Sequence, residues 1–309
     1  YTNIELELII KYDMGINFMY ECVGLNKRNL ICFEELNKAR YEFNTLNEDF
    51  FEIYNKCNFA QQILLRRRVK LLKDDSKYIG YIWSDMNDKN SCCINAISVL
   101  KAMGNIKTNM LYKTLIDTIK RNCSITYLCE SNNYNYEILK DVGFRKKEGT
   151  LILYSNVSEN IPLYPDEELE FEILKRERDE QKRCEIQNEV FRDDNRVPLS
   201  IEDIYFDQVQ SYYFDKGAVF LKKDGEYIGY GQIIIEDNIP VIVNFGILKE
   251  YRGNGYSKSF LSYLLKIIKD TGFKDVKIKV KNTNIPAVNL YEKLGFKTKN
   301  EVCTWELKR

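Results

Sequence analysis

Histidine is absent: none of the 309 residues carries an imidazole. That excludes a Ser-His-Asp or Cys-His nucleophilic site, a histidine-ligated zinc centre and a histidine general base. An excess of one charge is missing as well. Lys+Arg and Asp+Glu each total 46, so no basic field is available to hold nucleic acid or anionic lipid. The one basic run, Arg66-Arg67-Arg68-Val69-Lys70, reads as the edge of a strand, and neither nucleic acid nor a membrane is an expected partner. No stretch of ~18 apolar residues and no secretory signal occurs, which gives the expectation of a soluble cytoplasmic protein. The 9 cysteines form no C-x-x-C pair and are odd in number, so neither a zinc ribbon nor a disulfide framework is expected, and no metal. Most of them sit in apolar stretches, as buried thiols in a reducing compartment do.

What is present is globular: 44% hydrophobic and 13% aromatic residues, too aromatic for disorder. At ~100 to 200 residues per domain, the length points to two domains. Comparing the chain with itself makes this concrete. Leu72–Tyr81 reads LKDDSKYIGY and Leu221–Tyr230 reads LKKDGEYIGY, 149 residues later. Leu100-Lys101 then matches Leu248-Lys249, and Val142-Gly143-Phe144 matches Leu294-Gly295-Phe296, with the register nearly held. Two copies of one domain are expected, over 1–155 and 168–309, joined by a linker at 156–167 where Pro162 and Pro165 interrupt regular structure.

In the second copy, Leu169–Lys175 alternates as a strand and Arg178–Phe191 as an amphipathic helix. Ser200 and Asp203 form a capping box that opens a helix to about Tyr213. Strands are expected at Ala218–Lys222, Tyr227–Ile235 and Pro240–Leu248, with Asp224-Gly225 as a hairpin turn. A helix from Ser257 closes at Gly272, Val276–Val280 is a strand, Pro286 opens a helix ended by Gly295, and Val302–Leu307 is a last strand. The order β-α-α-β-β-β-α-β-α-β makes each half a mixed α/β layer.

The segment Tyr251-Arg252-Gly253-Asn254-Gly255-Tyr256-Ser257 lies between a strand and a helix. Its glycines let backbone come close to a ligand, and the helix N-terminus adds partial positive charge, which suits an anion. It is neither a P-loop nor the G-x-G-x-x-G fingerprint. Alone, it fits equally a glycine-rich turn that binds nothing. About thirty residues on comes Asn284-Ile285-Pro286-Ala287-Val288-Asn289-Leu290-Tyr291-Glu292-Lys293-Leu294-Gly295-Phe296.

Together, R-G-N-G-Y-S after an apolar strand and N-x-x-A-x-x-L-Y-E-K-L-G-F on the later helix resemble the GNAT family of acetyl-CoA-dependent N-acetyltransferases. The resemblance implies two tandem GNAT-like α/β domains, each a central, mostly antiparallel sheet flanked by helices, and similar tandem members keep one active and one decayed half. It implies acetyl-CoA as acyl donor and a small-molecule or peptide amine as acceptor. Arg252, Gly253, Asn254, Gly255, Tyr256 and Ser257 would form the pyrophosphate loop, with Ser257 a mild departure that keeps a small side chain. Asn284 would contact the pantetheine arm, and Tyr291 would face the thioester sulfur as the proton donor. The acyl carbonyl would meet a backbone N–H at a splay within Asn244–Ile247, which brings in Phe245, Gly246 and Ile247.

The first half departs from that pattern. Its loop reads Lys101-Ala102-Met103-Gly104-Asn105-Ile106-Lys107, without an Arg252 counterpart and with one glycine, and Leu139 stands where Tyr291 does, although Asn132 matches Asn284. It is expected to have lost catalysis. Val241–Phe245 contains no carboxylate, so Glu236, with Asp237 just before that strand, is the candidate general base acting through water, although acidic residues at a strand end are usually solvated turn charges. Asp193, Asp194, Glu202 and Asp203 fall in the region that faces the acceptor in this family, which suits a cationic amine; helix capping explains Asp203 equally well. The competing expectation is a non-catalytic CoA-binding or scaffold protein, for which the loop would matter and Tyr291 would not.

Overall fold

The computed structural model describes residues 20–100, 108–120, 122–132, 134–157, 164, 166–193 and 196–309. Along the chain run β1 (Tyr20–Gly24), α1 (Leu30–Lys38), α2 (Phe50–Tyr54), α3 (Phe59–Arg67), β2 (Val69–Asp74), β3 (Lys77–Met86), β4 (Ser91–Val99), α4 (Thr108–Ile116), β5 (Ser124–Glu130), α5 (Asn135–Val142) and β6 (Arg145–Asn156). Then follow β7 (Leu169–Ile173), α6 (Glu180–Val190), α7 (Ile201–Gln208), β8 (Tyr213–Lys223), β9 (Glu226–Glu236), β10 (Ile239–Ile247), α8 (Tyr256–Asp270), β11 (Asp275–Lys281), α9 (Ile285–Lys293) and β12 (Lys297–Lys308). The second-half order is the expected one. The helix opened by the Ser200–Asp203 box stops at Gln208 rather than near Tyr213, because Tyr213 pairs with Ile234 as the start of β8.

The chain packs into two compact units: the described residues up to Gly149 together with Asn300–Arg309, and Thr150–Lys299. In the first, strands run β1-β2-β3-β4-β5-β12; in the second, β6-β11-β10-β9-β8-β7. All pairs within these runs are antiparallel except β4 with β5 and β10 with β11. The C-terminal strand therefore completes the first unit, where Val302–Lys308 pairs with Ser124–Glu130. Cys303 and Trp305, fully buried, belong to a core with Ile125, Tyr127 and Leu139. In return β6 gives Leu151 and Leu153, and the next residue Val157, to the core of the second unit, around Ile242, Phe260, Leu264 and Ile278. The sequence halves and the compact units are thus different divisions of one chain.

The shared Tyr-Ile-Gly-Tyr motif has a packing cause. A Cβ on Gly80 would lie 2.9 Å from the Ser98 carbonyl oxygen, and one on Gly229 would lie 2.8 Å from that of Gly246, so β3 and β9 can approach β4 and β10 only with glycine there. The Asp224-Gly225 turn has φ of 51° and 80°, the paired positive values of a tight hairpin. Among the described residues no helix is long and apolar enough to cross a membrane.

Candidate active site

The second unit brings most of its candidate residues to the ends of β10 and β11. The two strands pair in parallel only at Val241–Lys277 and Ile242–Ile278. Beyond that point β10 slips in register against β9 between Val243 and Gly246, with Asn244 at φ 51°. A bulge of this kind turns backbone N–H groups away from the regular ladder. Gly246 sits under α6, where a Cβ would stand 2.3 Å from Val190 Cγ1. Phe245 points to the opposite face, its ring 5.2 Å from that of Phe260 and 6.5 Å from that of Tyr291. Phe245 of the splay and the proton-donor candidate are thereby brought together, while Gly246 faces α6.

Tyr291 is 6% exposed, on the inner face of α9 beside Phe296. Burial pushes its phenol up to about 12, so it keeps its proton across the neutral range.

After β10 a single 3-10 turn, Lys249–Tyr251, leads into the glycine loop. Gly253 and Gly255 have φ of 89° and 86°, and a Cβ on either would meet nothing within 4 Å. Gly255 is the N-cap of α8, and no side chain caps that end. Its first-turn N–H groups, at Tyr256 and Ser257, therefore lie at an open helix N-terminus, an arrangement that accommodates phosphate. Arg252 is turned elsewhere. Its Nε donates to the Ile247 carbonyl at 2.8 Å and its Nη2 to the Val190 carbonyl at 3.0 Å. The guanidinium thus fastens the loop to β10 and α6 and does not extend into the loop mouth as a free cation. The Asn254 amide donates to Tyr251 within the loop at 3.3 Å. Asn284 caps α9, its Oδ1 accepting from the Ala287 N–H at 3.3 Å, and is exposed; its Nδ2 takes no part in the cap.

Glu236 is not brought to this site. It pairs with Ile239 at the far end of the β9–β10 hairpin, seven residues before Gly246, or about 20 Å along the strand. Its carboxylate bonds Lys277 at 3.0 Å and Lys279 at 3.2 Å. Partial burial works to raise its pKa, but hydrogen bonds and charges from the two lysines outweigh this and hold it below the usual value. A distant carboxylate made less basic is a poor general base. Asp203 closes the capping box with Ser200, Glu202 lies in the same first turn of α7, and Asp194 lies outside the described residues, whereas Asp193 is described.

The equivalent place in the first unit is filled by its own chain. β4 and β5 also pair in parallel only over Ser91–Ile94 and Ser124–Tyr127. Beyond that, Asn47 accepts from the Ile97 N–H at 3.3 Å and donates to the Ile97 carbonyl at 2.9 Å. Asn44 accepts from the Glu130 N–H at 3.0 Å and donates to the Leu128 carbonyl at 2.9 Å. Both amides are buried, Tyr127 links them, and Phe43 stacks on Tyr112 at 4.3 Å. The segment between α1 and α2 thus occupies both strand edges at the splay. In the second unit the corresponding α6–α7 segment is tied back instead, Leu199 to Asn188 through two hydrogen bonds of 2.7 and 2.8 Å. Asn132 is likewise used internally, donating to the Phe43 carbonyl, and Leu139 is buried in the core. The loop at Lys101–Lys107 lies outside the described residues.

Sequence reasoning missed one group at the site: Arg183, Asp207 and Gln232, bonded together beneath the bulge. The signal was a polar residue in an apolar phase, Gln232 ahead of Ile233-Ile234-Ile235 and Arg183 on the same face of α6 as Ile186 and Val190.

Comparison with known proteins follows the same outline. A family model described as the Acetyltransferase (GNAT) family matches residues 180–296. An N-alpha-acetyltransferase of Sulfurisphaera tokodaii is 32% identical over 117 residues, 33% of this chain and 70% of that protein. An N-alpha-acetyltransferase of Sulfolobus acidocaldarius is 34% identical over 107 residues, 28% of this chain and 64% of that protein. Among solved structures, a GCN5-related N-acetyltransferase from Sphaerobacter thermophilus aligns with a TM-score of 0.56 at 13% identity, over 94% of this chain and 95% of that one. At that identity the likeness is one of fold, and it spans both units.

Proposed function

The chain belongs to the GNAT acetyltransferase family, and on that premise we propose that it transfers the acetyl group of acetyl-CoA to a primary amine at the site in the second unit. The observation that carries this reading is the conjunction of the open Gly253–Gly255 cradle at the α8 N-terminus, the β10 bulge and the Tyr291 phenol. The cradle fits the pyrophosphate because backbone can approach it without Cβ interference and the helix end is uncapped. The thioester supplies the activated acyl group. Amide N–H groups at Phe245, Gly246 or Ile247 stabilise the charge that develops on the carbonyl oxygen as the amine attacks. The C–N bond forms, the C–S bond breaks, and the proton lost by the amine balances the one gained by the sulfur.

Tyr291 donates to that departing sulfur. A phenol at about 12 is less acidic than a thiol at ~8.5, so it serves as a hydrogen-bond donor that holds the thiolate while the amine's proton completes the exchange. We place the acceptor class as the α-amino group of a polypeptide, supported by the names of the two archaeal relatives. All nine cysteines are free thiols, which favours a reducing compartment. The test is a thiol-release assay with acetyl-CoA against short peptides with free and with blocked N-termini, beside polyamines and aminoglycosides. Release with free-N-terminus peptides alone supports the reading; release with none of the amines overturns it.

A further inference from the structure

Arg183 is a charged side chain only 2% exposed, the most costly kind of residue to bury. Its Nη2 donates to Asp207 Oδ2 at 2.6 Å and to Gln232 Oε1 at 3.0 Å, its Nε donates to Gln187 at 2.7 Å, and its guanidinium lies 5.1 Å from the centre of the Tyr230 ring. Gln232, fully buried, donates from Nε2 to Asp207 Oδ2 at 3.0 Å. Tyr212 donates to the other oxygen of Asp207 at 2.9 Å. Buried ion pairs are often no more stabilising than apolar residues of the same shape, so stability alone is a weak reason for this one.

The network ends on the bulge. Gln232 Oε1 also accepts from Asn244 Nδ2 at 3.1 Å, and Asn244 is the residue at φ 51° inside β10. A left-handed residue within a strand is uncommon, and the backbone keeps it only where its surroundings impose it. Arg183 fixes the amide of Gln232 so that its oxygen faces Asn244, and Asn244 then holds the slip between Val243 and Gly246 that carries β10 away from β11.

We propose that Arg183, Gln232 and Asn244 form a positioning relay that sets the β10 bulge and thereby aims the amide donors of the acyl site. The relay rests on the acetyltransferase reading for its kinetic readout and on backbone geometry alone for its structural one. No hydrogen bond of the relay reaches the glycine loop itself, which Arg252 fastens to the Ile247 and Val190 carbonyls.

Three variants test it in the full chain: Gln232→Leu, Asn244→Val and Asn244→Gly. Backbone chemical shifts of residue 244, recorded without any ligand, report whether the left-handed conformation persists. Gln232→Leu and Asn244→Val should lose it; Asn244→Gly, free to take positive φ, should keep it. With an amine substrate found, Gln232→Leu and Asn244→Val should lower kcat by about 10²-fold while the acetyl-CoA Kd from calorimetry stays within about twofold. Asn244→Gly should exceed Asn244→Val by about tenfold in kcat. Unchanged shifts at residue 244 in Gln232→Leu would overturn the relay even if no acceptor amine is known. Equal losses in Asn244→Gly and Asn244→Val, or loss of kcat and acetyl-CoA affinity together in Gln232→Leu, would also overturn it.

Discussion

Arg252 and Val190 stand 62 residues apart in sequence and are joined by a 3.0 Å hydrogen bond from the guanidinium to the carbonyl at the end of α6. With the second bond to Ile247, the side chain closes a three-way junction between the glycine loop, the bulged strand and α6. Arg252→Ala should therefore weaken acetyl-CoA binding and also lower the Tm, because two buried-facing carbonyls lose their donor. If the guanidinium acted only as a phosphate charge, affinity would fall in a salt-dependent way with an unchanged Tm. Differential scanning calorimetry alongside binding at two ionic strengths separates the two.

Tyr291→Phe removes the donor to the departing sulfur while leaving the ring against Phe245 and Phe296. It should lower kcat by ~10²-fold with little effect on acetyl-CoA Kd. The pH dependence follows from the raised phenol. Its protonated form persists until pH nears about 12, so kcat should show no falling alkaline limb up to pH 10. For stability the sign is the same: the folded pKa lies above the ordinary 10.0, so the contribution of the buried neutral phenol is complete below 10 and is lost as pH rises toward about 12. A rate that declines between pH 8 and 9 in wild type but not in Tyr291→Phe would remove this assignment.

One acetyl-CoA should bind per chain. In the first unit Asn44 and Asn47 already hold the splayed edges of β4 and β5, and Phe43 fills the space beside Tyr112. Gly255→Asp, which sets a carboxylate at the uncapped N-terminus of α8, should abolish binding altogether. Calorimetric stoichiometry is the measurement; two sites in wild type, or one remaining in Gly255→Asp, contradicts it.

The duplication and the family motifs were legible because they are written in local chemistry. Gly80 and Gly229 recur since each strand pair would clash with a Cβ, and Gly143 and Gly295 recur since α5 and α9 both end in a left-handed residue. The bulge was legible only as a region. What fixes it is a contact between Gln232 and Asn244, and the partner of a buried amide cannot be read from one strand's pattern. Arg252 reads as a phosphate ligand in sequence, yet its bonds run to carbonyls, because a loop motif does not say which way a long side chain turns. Glu236 is close in sequence to β10, but a hairpin puts chain neighbours at the end remote from the bulge. The exchange of β6 and β12 left no trace at all, since an apolar strand satisfies either of two similar sheets.

That exchange sets the last expectation. A fragment of 160–309 follows the sequence repeat, but it lacks residues 150–156, which pair with β11 along Asp275–Lys281, and it takes Leu153 and Val157 out of the core of the second unit. It also carries Cys303 and Trp305 without Tyr127 and Leu139, the first-unit core into which they pack. A fragment of 149–299 is of almost the same length and keeps the β6–β11 pairing. It should therefore melt at a higher temperature than 160–309 and retain acetyl-CoA binding, although it discards the final strand of its own repeat. In the intact chain, Trp305→Ala should cost ~3 to 5 kcal/mol, as removal of a fully buried tryptophan does. Hydrogen exchange should assign that loss to β5 and α5 of the first unit, leaving α8 protected. If 160–309 proves the more stable fragment, or Trp305→Ala deprotects α8 first, the C-terminal strand belongs to the unit that precedes it in sequence and the exchange is refuted.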